Sequence, residues 1–138
     1  MLNDEKIIKY MSEFYEENER EAFYAYGVIE AAIGKGILFG SLASFTNKFI
    51  LVGFTDRKLI IIGLDTLGEP KTSRCIDYKN FVSAKIRRGL ICMGKTIKIR
   101  LSDDSEVHFS LNKHISGLKN QKKNIQAICK SLEPLMNK

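Results

Sequence analysis

Residues 82–111 read VSAKIRRGLICMGKTIKIRLSDDSEVHFSL, and this stretch decides the fold class. Apolar and polar residues alternate along most of it with a period of two, which is typical of strands that bury one face and expose the other. The apolar residues that share the predicted buried face are Val82, Ala84, Ile86, Ile97, Ile99, Leu101, Val107, Phe109 and Leu111. Such clean alternation predicts antiparallel strands rather than a parallel sheet buried on both faces.

The connection between the last two of these strands sets their register. A three-residue loop at 103–105 pairs Leu101 with Val107 and keeps both apolar faces together. A two-residue loop would instead place Leu101 opposite the outward-facing Glu106, because a shift of one residue turns a strand over. We therefore predict the three-residue loop.

The preceding segments predict further strands joined by turns. Residues 22–33 are rich in aromatic and branched side chains and indicate a strand. Residues 49–65 form two apolar runs around a polar Asp56-Arg57 turn, which predicts a hairpin. A strand is predicted at 71–77, and a crossing segment follows at 78–80.

Both ends of the chain have helical periodicity. Residues 4–21 predict an acidic amphipathic helix, and residues 117–132 predict a second helix that Pro134 ends or bends. With about seven strands between them, this order indicates one α+β domain with an antiparallel sheet folded on itself. We divide the chain into an N-terminal helix, 1–21, and a domain that includes the C-terminal helix, 22–138.

Composition and charge narrow the classes of function. A hydrophobic share of 44% and a charged share of 28% are those of a globular chain rather than a disordered one. The net charge of +6 conceals a division. Residues 1–30 carry eight acidic and three basic residues, a net −5, so the rest of the chain carries +11. A basic body of this kind attracts phosphates, anionic lipid or acidic protein.

Part of the positive charge is concentrated on one predicted hairpin. The register that pairs Ile86 with Ile97 places Lys85 directly opposite Lys98, where like charges disfavour the sheet. The candidate anion-binding residues are Lys85, Arg87, Arg88, Lys95, Lys98 and Arg100. Two other interpretations stand beside anion binding: a solvated face that discourages edge aggregation, and a face covered by the chain's own acidic N-terminal helix.

The same hairpin contains a literal G-x-x-x-x-G-K-T match between Gly89 and Thr96. In a phosphate-binding loop this motif is followed by a helix whose N-terminus points at the phosphates. Here Thr96 is followed by alternating Ile-Lys-Ile-Arg-Leu, which predicts a strand. We therefore interpret the motif as a glycine-containing connection between antiparallel strands.

The remaining reactive residues do not form a recognisable site. His108 and His114 are six residues apart around a strand end, a spacing that suits neither a helical metal pair nor a defined base. Cys75, Cys92 and Cys129 form no C-x-x-C pair, and their apolar neighbours predict buried thiols. We therefore predict no catalytic residue, no bound metal, no cofactor and no small-molecule substrate. The N-terminus shows no leader, so we expect a cytoplasmic protein, with membrane association as an alternative.

Three segments resemble the bacterial pleckstrin-homology-like (PH-like) domains: TDRKLII at 55–61, IDYKNFVSAKI at 76–86, and the pair Gly89-Leu90 followed by GKTIKI at 94–99. The resemblance covers residues 22–133 and leaves the N-terminal helix outside its motifs. It implies a strongly bent, seven-stranded antiparallel sheet, an open barrel or sandwich, closed at one end by the C-terminal helix. It also implies that the glycine turn is a structural part of the fold.

For function, we expect a non-enzymatic interaction module that binds a protein partner or its own copies through the sheet and its loops. The alternative is a peripheral binder of anionic membrane that uses the six basic residues. Nucleic acid is disfavoured, because no exposed aromatics are interleaved on the basic strands. The loop after the first strand offers only Lys35 and Lys48, so phosphoinositide binding is not implied. The apolar stretch 36–45 is a candidate for core, subunit interface or shallow membrane contact.

Overall fold

The computed structural model describes residues 2–29, 49–88 and 93–136. Their elements, in chain order, are α1 (Asp4–Ser12), β1 (Phe23–Ile29), β2 (Phe49–Phe54), β3 (Lys58–Leu64), β4 (Pro70–Asp77), β5 (Phe81–Arg88), β6 (Met93–Leu101), β7 (Glu106–Asn112) and α2 (Gln121–Leu132). The strands form one sheet in the order β4-β3-β2-β1-β7-β6-β5, in which every neighbouring pair is antiparallel. This architecture confirms the predicted α+β fold. Neither helix is long and apolar enough to cross a membrane in the described part of the chain.

The inner face of the sheet forms the main core. Alternate residues of β5, β6 and β7 meet the apolar residues of β1 to β3 there, and α2 covers them with Ile125, Ile128 and Leu132. Gln121, at the start of α2, is buried but satisfied, because its side-chain amide bonds to the backbone of β1 and β7. These bonds fix α2 beside the β1–β7 pairing, which joins Gly27–Ile29 to Phe109–Leu111 in the described part of the chain.

The outer face of β1–β3 is covered by α1. Ile7 and Met11 are almost fully buried against outward residues of these strands, including Leu51 and Ile60. Strand β3 is consequently buried on both faces, which explains its continuous apolar run, Leu-Ile-Ile-Ile, in place of alternation. The helix lies so close that a side-chain carbon on Gly53 of β2 would come within 2.6 Å of the Met11 sulfur.

The predicted N-terminal helix is too long, because α1 ends at Ser12. Residues 13–21, here called the acidic strap, instead cross to the turn between β2 and β3. The Glu19 side chain is fully buried there, where it accepts hydrogen bonds from Thr55 Oγ1 and, at 2.9 Å, from Lys58 Nζ. Because Glu19 must reach the hydrogen-bond donors Thr55 and Lys58 on the β2–β3 turn, the helix ends before residues 13–21.

The C-terminal helix also begins later than predicted, at Gln121 rather than Gly117. Gly117 has a φ of +89°. Glycine adopts this positive φ readily, but a right-handed helix cannot include it, so the helix begins after Gly117. The helix ends at Leu132, and a short 3-10 turn containing Pro134 follows it, in agreement with the prediction that Pro134 ends the helix.

Strands β6 and β7 pair two residues out of the predicted register. Ile99, rather than Leu101, lies opposite Val107. The loop has three residues, as predicted, but they are 102–104, and Asp104 adopts a φ of +69°. Because the error is an even number of residues, the buried and exposed faces remain those that the alternation predicted.

The thiol predictions are partly wrong. Cys75 is exposed, because it lies on β4 at the edge of the sheet, and Cys129 is half-buried on α2. Cys92 lies outside the described residues, as do residues 36–45 and the predicted continuation of the first strand beyond Ile29.

A candidate anion-binding face on strands 5 to 7

The outer surface of β5, β6 and β7, here called the basic face, carries four of the predicted anion-binding residues. The register confirms that Lys85 lies opposite Lys98, and Lys98 lies opposite His108 on β7. The neighbouring row places Arg87 opposite Thr96. Arg100 follows one step along β6 on the same face, because side chains alternate with a period of two.

These side chains frame a shallow concavity of about 160 Å³, lined by Lys85, Arg87, Thr96, Lys98 and His108. Directly opposed like charges on a sheet cost on the order of 0.2–1 kcal/mol. A bound anion would offset this repulsion, and lysine and arginine donate charge-assisted hydrogen bonds to carboxylate or phosphate oxygens.

The four cations differ in how far the protein itself neutralises them. Lys98 Nζ lies 3.2 Å from the Glu106 carboxylate, and Arg100 lies 3.5 Å from Asp104. Lys85 and Arg87 are exposed, and no carboxylate of the described residues forms an ion pair with either of them. The positive charge available to a ligand is therefore concentrated at Lys85 and Arg87.

Arg88 and Lys95, the other two predicted residues, are not brought together with this group. They pair with each other at the open end of the hairpin and share the strand side of Ile97, which faces the core. Lys95 lies close enough to α2 to act on Cys129. Burial raises the pKa of that thiol, and the positive charge of Lys95 partly opposes the effect.

The interpretation that the N-terminal segment covers the basic face is wrong, because the acidic strap lies at the hairpin of β2 and β3 instead. Its Glu16 carboxylate lies 3.3 Å from Arg57, and its Glu19 carboxylate lies 2.9 Å from Lys58, both at the turn between β2 and β3. Upstream, Asp4 accepts hydrogen bonds from the Tyr24 hydroxyl and from the backbone of Lys119.

A second concave feature, here called the apolar cleft, was not predicted from the sequence. It encloses about 440 Å³ where the β3–β4 turn, β1, β2 and the β7–α2 connection meet, and its apolar lining residues are Leu2, Tyr26, Phe49, Leu64, Leu67 and Ile115. The rings of Tyr26 and Phe49 stack with centroids 6.1 Å apart. Leu67 is 85% exposed on the turn. A leucine in a turn was the one signal in the sequence that could have indicated this cleft.

The motifs that suggest enzymes are placed as the sequence predicted. Lys95 and Thr96 of the G-x-x-x-x-G-K-T match lie within β6 rather than at the start of a helix, and residues 89–92 are outside the described part. His108 lies on β7. No group of three or more His, Cys, Asp or Glu residues with metal-binding geometry occurs among the described residues.

The arrangement is similar to a solved structure, the hSac2 domain from human phosphoinositide phosphatase Sac2. The two share 11% sequence identity and a TM-score of 0.51 over 95% of this chain and 79% of that chain, so the similarity concerns the fold. No curated protein matches this sequence. The family model for the bacterial PH domain matches residues 1–133, a range that includes the N-terminal helix as well as the motifs at 55–99. The chain therefore belongs to the bacterial PH domain family.

Proposed function

We propose that this chain is a non-enzymatic interaction module that binds an acidic protein partner on the basic face. Membership of the PH family supports a binding module in general, since PH domains mediate protein or lipid interactions. The observation that carries the proposal is the concavity beside Lys85 and Arg87, two exposed cations without an acidic partner in the described part of the chain.

The charge pattern of the basic face favours a protein over a membrane. Among the described residues, the four cations and the two carboxylates of Glu106 and Asp104 leave this face a net charge of +2. An anionic bilayer contributes about 1 kcal/mol per lysine or arginine near its surface and repels carboxylates, so the membrane attraction of this face is small. An acidic protein segment can place its charges beside Lys85 and Arg87 and avoid the two carboxylates, which is how complementary interfaces gain specificity.

Fluorescence anisotropy with a labelled polyglutamate peptide tests the proposal directly. We expect saturable binding that weakens as NaCl rises from about 50 to about 300 mM, because exposed ion pairs are screened by salt. The variant Lys85→Glu/Arg87→Glu should weaken binding at least about tenfold, or ~1.4 kcal/mol. The matched control, Lys122→Glu/Lys123→Glu, makes the same charge change at exposed positions in the first turn of α2 and should bind much more tightly than the test variant.

Two parallel measurements identify the competing outcomes. Co-sedimentation with vesicles rich in phosphatidylserine, without peptide binding, would favour the membrane alternative and overturn the proposal. Sedimentation velocity of the chain alone, with a mass that falls in Lys85→Glu/Arg87→Glu, would show that the face binds a second copy instead. Equal loss of peptide binding in the test and control variants would also overturn it, because the attraction would then come from overall charge.

A further inference from the structure

The apolar cleft lies on the outer face of the sheet, at one end of the apolar cluster that α1 covers. Tyr26, Leu64 and Ile115 line the cleft and also belong to that cluster. Phe49 is 39% exposed and Leu67 is 85% exposed, so both side chains can be reached from solvent. A concave site of about 440 Å³ with exposed apolar side chains has the size and the composition of a binding site.

The charge of the cleft is negative. Half-buried Asp65 is the only charged residue that lines it in the described part of the chain. Its Oδ1 atom accepts the backbone N–H groups of Leu67 and Glu69 at 2.8 and 2.9 Å, and these bonds hold the carboxylate on the β3–β4 turn. Asp65 forms no ion pair with a described residue. A cationic group would therefore complement the cleft, whereas an acidic group would be repelled.

The carboxylate lies at the same end of the sheet as a pair of aromatic rings. Ile50 of β2 pairs with Gly63 of β3, which precedes Asp65 by two residues. Phe49 directly precedes Ile50 and stacks on Tyr26, with ring centroids 6.1 Å apart. The guanidinium group of arginine is planar, pairs with a carboxylate through two N–H groups and stacks on aromatic faces. Arginine therefore fits this combination better than lysine does.

We infer that the apolar cleft binds a segment of a partner protein in which an arginine and a large apolar residue lie on the same side of an extended chain. Residues two positions apart share one side, as in Leu-Gly-Arg. The apolar side chain packs against Leu67 and Ile115, and the guanidinium contacts Asp65 and the ring of Phe49. The inference goes beyond the proposed function and does not depend on it, because the basic face attracts acidic groups and takes no part in this contact.

An NMR titration of the ¹⁵N-labelled chain with short peptides tests the inference. The first peptide, acetyl-Gly-Ser-Leu-Gly-Arg-Ser-Gly-amide, has no carboxylate and therefore does not engage the basic face. We expect saturable shifts of the backbone amides of Leu67, Gly68 and Ser116, which line the cleft, without comparable shifts at Lys85 and Arg87. Serine in place of the peptide leucine should weaken binding at least about tenfold, because burying a leucine contributes that factor. Glutamine in place of the arginine should weaken it about threefold, as expected for a partly exposed charge contact.

A charge variant assigns the arginine contact to the cleft. Asp65→Asn removes the charge but keeps an oxygen that accepts the N–H groups of Leu67 and Glu69. It should abolish the preference for the arginine peptide over the glutamine peptide. The matched control, Glu69→Gln, makes the same charge change on the same turn at a residue that does not line the cleft, and should keep that preference.

A second variant, Leu67→Ser, tests the apolar contact. It should weaken binding of the first peptide at least about threefold, and the high exposure of Leu67 keeps the fold unaffected. The matched control, Ile8→Ser, removes a 40% exposed apolar residue of α1 that does not line the cleft, and should leave the affinity unchanged.

Several results would overturn the inference. They are the absence of saturable shifts up to about 10 mM peptide, shifts that map elsewhere, equal binding of the arginine and glutamine peptides, and no effect of Leu67→Ser. A markedly lower Tm of Leu67→Ser would show that the chain itself fills the cleft, and a lower mass in sedimentation velocity would show that a second copy fills it; either result overturns the inference as well. The proposed function is tested with an acidic peptide and with Lys85→Glu/Arg87→Glu, so it stands or fails separately.

Discussion

Replacing Glu19 with Gln removes one charge from the buried contact that holds the acidic strap to the β2–β3 turn. The carboxylate accepts hydrogen bonds from Thr55 Oγ1, from the backbone of Glu16 at 2.7 Å and from Lys58 Nζ at 2.9 Å, and its side chain has no exposed surface. The amide of Gln keeps the shape but directs an NH₂ group at one set of these donors. Lys58, whose side chain is 11% exposed, then lacks its buried counterion.

The expected cost follows from this burial. Removing one partner of a buried ion pair destabilises a protein by about 3–5 kcal/mol. Lys58 also has Glu16 at 3.8 Å, a second carboxylate that can move closer because it is largely exposed. We therefore expect the lower end of the range, about 3 kcal/mol, which corresponds to a fall in Tm on the order of 10 °C for a domain of this size.

Urea unfolding measures the free energy change, and Arg57→Gln is the matched control. Arg57 pairs with Glu16 at the same turn, but their side chains are 43% and 68% exposed, and exposed pairs contribute about 0–1 kcal/mol. A double-mutant cycle with Lys58→Met separates the pair from its surroundings, and the coupling should exceed 1 kcal/mol, roughly. A loss of less than about 1 kcal/mol in Glu19→Gln, or equal losses in Glu19→Gln and Arg57→Gln, would refute the reasoning.

The stability should also depend on pH in a defined direction. Burial raises the pKa of Glu19, but the hydrogen bonds from Thr55, Glu16 and Lys58 outweigh it, and the pKa falls below the 4.5 of an unperturbed glutamate. A carboxyl group with a lowered folded-state pKa stabilises fully above its unfolded pKa and loses that contribution as the pH falls through the folded value. The stability difference between wild type and Glu19→Gln should therefore be constant near neutral pH and shrink below about pH 4.

Three further predictions follow from particular contacts. Gly53→Ala should destabilise the fold by about 1–2 kcal/mol in urea unfolding, because its new carbon would meet the Met11 sulfur at 2.6 Å, and the cost should fall in a Met11→Ala background. In a Cys92→Ser background, a thiol reagent should react first with Cys75, which is exposed on an edge strand, and then with the half-buried Cys129; a fast phase that persists in Cys75→Ser would contradict this. Mg-ATP should leave Tm unchanged, because the G-K-T sequence lies on a strand, and a saturable increase would overturn that interpretation.

Much of the candidate site could be read from the sequence. The alternation from Ala84 to Leu111 is local, so it correctly indicated which residues face the core, and the β5–β6 register followed from matching Ile86 with Ile97. The prediction that Val82 is buried was wrong: Val82 is 40% exposed, because the register shifts between Phe81 and Ser83 and Phe81 packs against the core instead. The same alternation could have excluded Lys95 from the basic face, because Lys95 precedes Ile97 by two residues and therefore lies on the core side of the strand. The β6–β7 register was wrong by two residues, because the apolar faces match equally well after an even shift.

Local periodicity thus established an antiparallel α+β domain, its core residues and a cationic hairpin, because the alternation of side chains along a strand depends only on neighbouring residues. Long-range packing produced the acidic strap and the apolar cleft. Glu19 meets Lys58 across 39 positions of sequence, and the cleft joins Tyr26, Leu67 and Ile115 from separate elements. No local sequence pattern specifies such long-range contacts, since they depend on how the sheet bends and on which helix covers which face. The burial of Glu19 and the formation of the cleft therefore arise from the folded chain as a whole.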